Sequence, residues 1–438
     1  MKTNAFDKII GYENIKEELM QITDVLTNPD VYSKLGVAPP AGLLLYGEPG
    51  LGKTLMAQCL INACGRYTVT CRKDKPDGDF TKHIKDCFKK AAENAPSILL
   101  LDDLDKFSNS DDRRRDTEEY VTVQSCIDEV KGKNVFVLAT VNDIRKLPRS
   151  LYRAGRFDRI IKITSPTGED AAKLINYYLS KKKFRVEPDP QFIADVLGGC
   201  SCAKLETVIN EAGIYAGSER SDIITTEHFI RAAMYIVFNV HENCYSNNAD
   251  LCKSLNDANN CSAQRVYHEA GHAVVSEVLN PGSVTIVSVL GGERSVGGMT
   301  VYSDHNSNNK DPLIIRKQRI ISGLGGIAGV ECKFGISNCG SSVDLNIVYQ
   351  NINKLVGDEC VCGFSNYSYG FDDSEHKKHE LEVIAASQME KYYRKAKEII
   401  TQNKELFEAI AHALAEKVTI TKIDIQKIKK RLAGQTAA

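Results

Sequence analysis

Three short apolar runs stand out in the first third of the chain. They are AGLLLY (residues 41–46), SILLL (97–101) and VFVLAT (135–140), and the first two are followed directly by glycine and by aspartate. Continuous apolar runs of this length are typical of strands buried on both faces of a parallel sheet. Helical patterns at 53–63 and 81–93 lie between them. Strand and helix therefore alternate as in a doubly wound α/β domain.

The pattern becomes mainly helical after residue 165. Apolar residues recur at helical spacing between 167 and 239, for example in AKLETVINEAGIYA, which predicts a small helical subdomain. An asparagine-rich segment then indicates a linker, and helix dominates the remainder, including 374–402, apart from the β-like stretch SVTIVSVLGG. The predicted division is an α/β domain at 1–165, a helical lid at 166–240, a linker at 241–262, a mainly α-helical domain at 263–432 and a tail at 433–438.

Composition and charge exclude several classes of protein. With 438 residues, 42% hydrophobic and 26% charged, the chain has the profile of a globular protein of several domains. A net charge of -1 gives no electrostatic reason to expect a nucleic-acid partner. No stretch approaches the ~18 apolar residues of a membrane helix, so no membrane span is expected. The fourteen cysteines include no CxxC pair and follow no secretory leader, which favours reduced cytoplasmic thiols.

A phosphate-binding pattern follows the first predicted strand. GEPGLGKT (47–54) matches GxxxxGK[ST] between a strand and a helix. Backbone N–H groups of such a loop approach phosphates, and the helix N-terminus adds a favourable dipole. We expect Lys53 to pair with the β and γ phosphates of ATP and Thr54 to offer its hydroxyl to Mg²⁺. A glycine-rich turn without a ligand is the alternative. The residues expected at the nucleotide are Gly47, Glu48, Pro49, Gly50, Leu51, Gly52, Lys53 and Thr54.

Two carboxylates close the second predicted strand. Asp102 and Asp103 lie beside the phosphate loop if both strands are central in one parallel sheet. In that position Asp102 holds the magnesium shell and Asp103 polarises the attacking water. Capping of a following helix is the alternative explanation for acidic residues there.

A metal-binding pattern occurs in QRVYHEAGHAVVSEVL. His268 and His272 are at i and i+4 of a predicted helix, so they share one face. Two imidazoles at this spacing bind one Zn²⁺, while Glu269 projects toward the bound water and serves as general base. A chance HExxH is the alternative, but its joint occurrence with a phosphate loop is improbable.

The third metal ligand is not evident from spacing. The residues after His272, AVVSEV, do not continue the HExxHxxGxxH pattern, so a more distant carboxylate is needed. From the residues alone, Glu331, Asp344 and Asp358 all remain candidates.

Long stretches of the chain resemble a known family. Residues 6–55, including IGYENIKEEL and KLGVAPPAGLLLYGEPGLGKTL, are similar to the start of the AAA+ ATPase module of FtsH-type proteases, and the resemblance extends over nearly the whole chain. It implies that Asn142 senses the γ phosphate and that Arg156 and Arg159 of AGRFDR reach the ATP site of a neighbouring subunit. Such a role in trans requires a ring, which in this family is a homo-hexamer.

The same resemblance selects the third metal ligand. LGGIAGVECKFG followed by GSSVDLNIVYQ is similar to the glycine-rich helix and aspartate ligand of the family, which implies that Asp344 binds the zinc. It also implies that GMTVY (298–302) is an edge strand that presents the substrate.

Three departures from the family pattern alter the expectations. The transmembrane segment that usually precedes the ATPase is absent, which indicates either a soluble protein or the loss of a natural anchor. Asp103 replaces the usual glutamate, and its shorter side chain predicts slow ATP hydrolysis. The pore loop aligns with residues 75–80, KPDGDF, without an aromatic residue in register, so a weak grip on substrate is expected.

The sequence therefore predicts an α/β AAA+ ATPase domain with a helical lid, followed by a mainly α-helical zinc metallopeptidase domain. The expected activity is ATP-dependent endoproteolysis of unfolded or loosely folded polypeptides by a cytoplasmic homo-hexamer that uses Zn²⁺, ATP and Mg²⁺. Two alternatives remain: a nucleotide-binding scaffold ring with weak ATPase activity, and a protease whose ATPase only holds the ring together.

Overall fold

The structure, a computed structural model, describes residues 5–73, 79–108, 117–153, 155–240, 254–290, 297–303, 311–336, 342–364 and 375–436. The chain divides into two compact units, one comprising 1–186 with 199–210 and the other 187–198 with 211–438. In these described ranges no helix combines the length and the apolar character needed to cross a membrane.

A five-stranded sheet forms the centre of the first unit. Its strands run in the order β2-β3-β4-β1-β5, and every neighbouring pair is parallel. All three predicted strands are present, as β1, β3 and β4, so the α/β class is confirmed. The strands are β1 Gly42–Tyr46, β2 Tyr67–Cys71, β3 Ser97–Leu101, β4 Val135–Val141 and β5 Arg159–Lys162, followed by the two-residue strand β6 Arg185–Val186.

Helices cover both faces of this sheet, which explains why its strands are apolar throughout. In β3, Leu99 and Leu101 face the apolar cluster that includes α4 and α5, whereas Ile98 and Leu100 face the opposite cluster with α1 and α3. The helices in this part of the chain, of which α1, α3, α4 and α5 contribute to these two clusters, are α1 Glu13–Thr27, α2 Pro29–Lys34, α3 Lys53–Cys64, α4 Phe80–Glu93, α5 Glu118–Val130 and α6 Gly168–Ser180.

The second unit is mainly helical, as predicted. Its long helix at 375–402 coincides with the predicted one, and its first long helix begins at Cys261, inside the predicted linker. Most of that linker, 241–253, lies outside the described residues. Helix α8 Cys202–Ser218 begins in the first unit and continues past residue 210 into the second. The remaining elements of the second unit are α7 Pro190–Val196, β7 Ile223–Ile224, α9 Thr226–Ile236, α10 Cys261–Leu279, α11 Pro312–Phe334, α12 Ser342–Asn353, α13 Glu375–Gln402, α14 Lys404–Lys417 and α15 Lys422–Thr436.

A small antiparallel sheet accompanies these helices. Strands β8 Val284–Ser288, β9 Met299–Tyr302 and β10 Thr419–Thr421 lie in the order β10-β8-β9. The segment predicted to be an edge strand is therefore β9, at the edge of the described sheet.

Helices α10 and α11 cross at very short range because glycines meet at the crossing. A Cβ atom on Gly271 would lie 2.2 Å from the Gly325 carbonyl oxygen, and one on Gly329 would lie 2.5 Å from the Tyr267 carbonyl oxygen. Such distances leave no room for side chains. The crossing brings the glycine-rich stretch of α11 against the histidine-bearing face of α10.

Candidate active sites

The phosphate loop joins β1 to α3 at the carboxyl edge of the parallel sheet. Gly52 precedes α3 in the left-handed region, with φ 84°, which favours glycine. A Cβ on Gly47 would lie 2.1 Å from the Ile163 carbonyl oxygen. The backbone therefore has the strand–loop–helix arrangement in which N–H groups surround a phosphate.

Lys53 is the first residue of α3, and its side chain turns back to the loop. Its side chain is buried, and Nζ donates hydrogen bonds to the carbonyl oxygens of Gly47 and Glu48, both at 2.8 Å. Burial lowers the pKa of Lys53, although Asp103, Asp105 and Asp102 oppose the shift. The Lys53 ammonium group thus lies at the loop, where a bound phosphate would replace the two carbonyl oxygens as its hydrogen-bond partner.

Asp102 is brought to the phosphate loop although β4 lies between its strand and β1. Its Oδ1 accepts hydrogen bonds from Thr54 at 3.3 Å and from Thr140 at 2.7 Å. A threonine hydroxyl and a carboxylate at this distance fit the two protein oxygens that hold Mg²⁺ in phosphate-loop ATPases.

Asp103 is surrounded by hydrogen-bond donors. Its carboxylate accepts from Lys106 at 2.7 Å and from Asn142 Nδ2 at 3.2 Å, while the Arg72 guanidinium lies 4.0 Å away. Burial opposes ionisation, but the Lys106 ammonium together with Asn142 and Arg72 lowers the pKa of Asp103. Its backbone is in the left-handed region at φ 55°. Asp103 and Asn142 thus meet at the sheet edge, although their strands are separate in sequence.

The two predicted trans-acting arginines lie in different settings. Arg156 forms a bidentate pair with Asp128, at 2.7 and 3.1 Å, and also donates to the Ser150 carbonyl oxygen at 2.8 Å. Arg159 is exposed at the start of β5. Neither side chain reaches the phosphate loop of its own chain by any described contact.

The two histidines of the second unit converge, as their spacing predicts. The Nε2 atoms of His268 and His272 lie 3.1 Å apart on the buried face of α10. Asp344, in the first turn of α12, places Oδ2 3.1 Å from His268 Nε2 and 3.4 Å from His272 Nε2.

The other two carboxylate candidates are engaged or located elsewhere. Glu331 pairs with Lys397 at 2.6 Å and accepts a hydrogen bond from Tyr393. Asp358 is exposed at the end of a π-helical turn. Among the three candidates that spacing left open, the structure brings Asp344 alone to the histidines.

These three atoms fit a tetrahedral zinc ion. Ligands about 2.0–2.1 Å from zinc are separated by roughly 3.3 Å in a tetrahedron, which matches the observed 3.1–3.4 Å. Nδ1 of His272 donates to the Ser322 carbonyl oxygen at 2.7 Å, which leaves Nε2 free for a metal. A Cβ on Gly326 would lie 2.4–2.5 Å from ring atoms of both histidines, so only glycine leaves space there.

The electrostatics of this cluster favour a cation. Burial opposes the imidazolium form, yet Asp344 and Glu269 raise the pKa of His272 to about 9. Burial also opposes ionisation of Asp344, but the two histidines hold its pKa well below the usual range. The carboxylates therefore stabilise positive charge at this buried position, whether a proton on His272 or a metal cation that displaces the proton.

Glu269 lies next to the ligand cluster and has its own positioning contacts. Its Oε2 accepts a hydrogen bond from Thr300 Oγ1 of β9 at 2.8 Å, and a Cβ on Gly298 would lie 2.6 Å from Glu269 Cγ. Burial raises the pKa of Glu269, against the influence of His272, His268 and Thr300. A carboxylate with a raised pKa beside a metal site is suited to accept and return a proton.

Several functional contacts were missed from the sequence. Thr140 lies in the third apolar run, and its contact with Asp102 was not predicted. A single hydroxyl in an otherwise apolar buried strand could have indicated a polar partner. Thr300 lies in the segment predicted to be the edge strand, but its contact with Glu269 depends on the tertiary fold. The Ser322 carbonyl group and the missing Cβ of Gly326 carry no side-chain signal.

Most of the predicted pore segment, residues 75–78, lies outside the described residues. Phe80 is described and begins α4. Its ring packs edge-on against the buried Phe107, with ring centroids 4.9 Å apart, and Lys73 Nζ lies 5.5 Å from its centroid. Phe80 thus packs against the apolar cluster on one face of the parallel sheet.

Comparison with known proteins agrees with the two sites. The sequence profile of the AAA family, ATPases associated with various cellular activities, matches residues 43–165, and that of Peptidase family M41 matches residues 259–428. The chain carries an AAA ATPase domain followed by a Peptidase family M41 domain. The profiles span the phosphate loop and the histidine pair respectively.

Individual relatives match nearly the whole chain. It is 28% identical to ATP-dependent zinc metalloprotease FtsH 1 of Alkaliphilus metalliredigens, over 97% of this chain and 73% of that protein. The identity is also 28% with FtsH 2 of Thermoanaerobacter sp., over 98% of this chain and 83% of the relative. FtsH 2 of Sphaerobacter thermophilus is 30% identical over 78% of this chain and 52% of its own length. The alignments with the first two relatives thus extend across both profile-matched regions of this chain.

Proposed function

We propose that this chain is an ATP-dependent zinc metalloendopeptidase. The observation that carries the proposal is the convergence of His268, His272 and Asp344 at zinc-ligand distances, with Glu269 beside them on the same helix. A chain that also contains a phosphate loop and paired strand-end carboxylates joins peptide hydrolysis to ATP hydrolysis.

In the peptidase site each residue has a distinct task. His268, His272 and Asp344 would hold a Zn²⁺ ion, which would supply a water of lowered pKa and polarise the scissile carbonyl group. Glu269 is placed to accept a proton from the attacking water and to return it to the leaving amine, while Thr300 holds the carboxylate in place. Strand β9 has a free edge in the described sheet, and an extended substrate pairs with that edge through its backbone.

In the ATPase site, residues at the carboxyl edge of the parallel sheet have the expected roles. Lys53 binds the β and γ phosphates, and Thr54 with Asp102 holds Mg²⁺. Asp103 orients the attacking water, and Asn142, which donates to Asp103, senses the γ phosphate. The backbone groups of residues 47–52 surround the phosphates.

The quaternary proposal rests on the arginines and on the family resemblance. We infer a homo-hexameric ring in which Arg156 and Arg159 act on the ATP of the neighbouring subunit, and in which polypeptides are moved to the zinc site. A cytoplasmic location and the bounds of the five predicted segments also remain predictions.

The contacts of Asp103 favour one alternative, a nucleotide-binding scaffold ring with weak ATPase activity. Lys106 and Arg72 form ion pairs with this short carboxylate. These ion pairs compete with the contact to an attacking water that the catalytic role of Asp103 requires. Steady-state ATPase measurements with and without an unfolded protein separate the possibilities. Turnover stimulated by the unfolded protein supports the proposal, unstimulated basal turnover indicates a structural ATPase, and no turnover indicates a scaffold.

A further inference from the structure

A second cluster of metal-binding side chains lies in the ATPase unit, outside both proposed active sites. Cys71 is the last residue of β2, and His83 and Cys87 are one turn apart on α4. Each offers one donor atom, and the three atoms lie within 4.8 Å of one another. His83 Nε2 is 3.6 Å from Cys87 Sγ, and the thiols of Cys71 and Cys87 are hydrogen-bonded and form no disulfide.

These distances fit a soft metal ion. With sulfur about 2.3 Å and nitrogen about 2.05 Å from zinc, a tetrahedral S–N separation is roughly 3.6 Å, as observed between Cys87 and His83. Buried cysteines often serve only as small apolar residues. Here, however, two thiols and an imidazole converge, and the exposed His83 side gives an ion access from solvent.

We propose that Cys71, His83 and Cys87 form a binding site for a thiophilic cation, Zn²⁺ or Cu⁺. Binding occurs through two Sγ atoms and Nε2, and the two thiols release their protons to solvent. This site is distinct from the peptidase centre, whose ligands are two histidines and an aspartate.

Metal binding at this site has a structural consequence for the ATPase domain. Ligation joins the carboxyl end of β2 to the first turns of α4. The carbonyl oxygen of Cys71 accepts the Asp102 backbone N–H at 3.0 Å, and Arg72, the next residue, pairs with the Asp102 carboxylate at 3.5 Å. A bound cation therefore fixes the strand end that adjoins the proposed magnesium carboxylate.

Co²⁺ is a suitable probe because its thiolate complexes show sulfur-to-metal charge transfer in the near ultraviolet. The peptidase centre has no sulfur ligand and cannot produce this absorption. Titration of the reduced full chain should give the band at one ion per chain, and Cys71→Ser and Cys87→Ser should each abolish it. His83→Gln, at an exposed position that spares the core, should weaken Co²⁺ binding at least about tenfold, as loss of even an outer partner does.

The matched control is Cys126→Ser, which changes a buried cysteine of the same apolar cluster and should keep the band. Displacement of Co²⁺ by Zn²⁺ or by Cu⁺, in separate titrations, shows which cation binds more tightly. Absence of the band in the parent chain overturns the proposal. Equal Co²⁺ affinity in parent and His83→Gln, loss of the band in Cys126→Ser, or failure of both cations to displace Co²⁺ also overturns it.

Discussion

Replacement of Gly326 by alanine tests the geometry of the metal site, because it adds a methyl group beside the histidine rings and leaves all three ligands in place. The new Cβ would lie 2.4 Å from His268 Cε1 and 2.5 Å from Nε2 of both histidines. Ordinary contact begins near 3.4 Å, so the rings must move by roughly 1 Å, whereas metal–ligand distances tolerate only about 0.2 Å. We expect Gly326→Ala to lower zinc affinity at least about tenfold and to reduce peptide cleavage accordingly.

Two further glycines make this prediction specific. A Cβ on Gly271 meets the Gly325 backbone at 2.2 Å, so Gly271→Ala should destabilise the fold by about 1–3 kcal/mol. Gly217, in α8, faces open space, so Gly217→Ala should gain up to about 1 kcal/mol and leave zinc binding unchanged.

The assay combines zinc titration with thermal unfolding in the presence of a chelator. Because histidine rings can rotate, Gly326→Ala should unfold near the parent temperature without metal while binding zinc poorly. Zinc affinity equal to that of the parent would refute the assigned geometry. Equal losses of metal-free stability in Gly326→Ala and Gly271→Ala would refute the separation of the two effects.

Further predictions concern individual residues and substrates. Glu269→Gln should keep near-stoichiometric zinc but lose peptide cleavage, whereas Asp344→Ala should lose the metal; metal analysis that finds undiminished zinc in Asp344→Ala would withdraw that ligand. Cleavage should decline as the pH falls through the raised pKa of Glu269, because the base must be ionised, and Thr300→Val should move this decline to higher pH. An unmoved pH profile would contradict the role of Thr300. Asp103→Glu should raise ATP turnover, measured at steady state, and a slower variant would contradict the explanation based on side-chain length. The enzyme should degrade unfolded proteins and spare stable tagged domains, whose unfolding requires roughly 5–15 kcal/mol; rapid loss of a stable fluorescent domain would show that another loop supplies the grip.

The sequence predicted the architecture of the ATPase sheet because its strands are buried on both faces. Runs such as SILLL are apolar throughout, so their strand character is independent of register. The HExxH histidines were also predictable, since helical spacing alone places both rings on one face.

The remainder depended on contacts between distant segments. Asp344 is 76 residues from His268, and no spacing rule separated it from Glu331 and Asp358. The Cys71, His83 and Cys87 cluster was missed because two of its members are on a helix and the third ends a strand. The glycines of α11 matter because they have no Cβ atom. Their importance can therefore be recognised only when the crossing of α10 and α11 is known.

The most direct test of the central claim follows cleavage of an unfolded protein by the purified chain under matched conditions. The conditions are ATP with zinc, zinc without ATP, ATP with a chelator, and ATP with zinc for the Glu269→Gln variant. The account predicts rapid cleavage under the first condition alone and recovery of the chelated sample when zinc is restored. Cleavage that is undiminished by the chelator, or by Glu269→Gln, would contradict the assignment of peptide hydrolysis to this metal site, and cleavage that is equal without ATP would contradict its dependence on the ATPase.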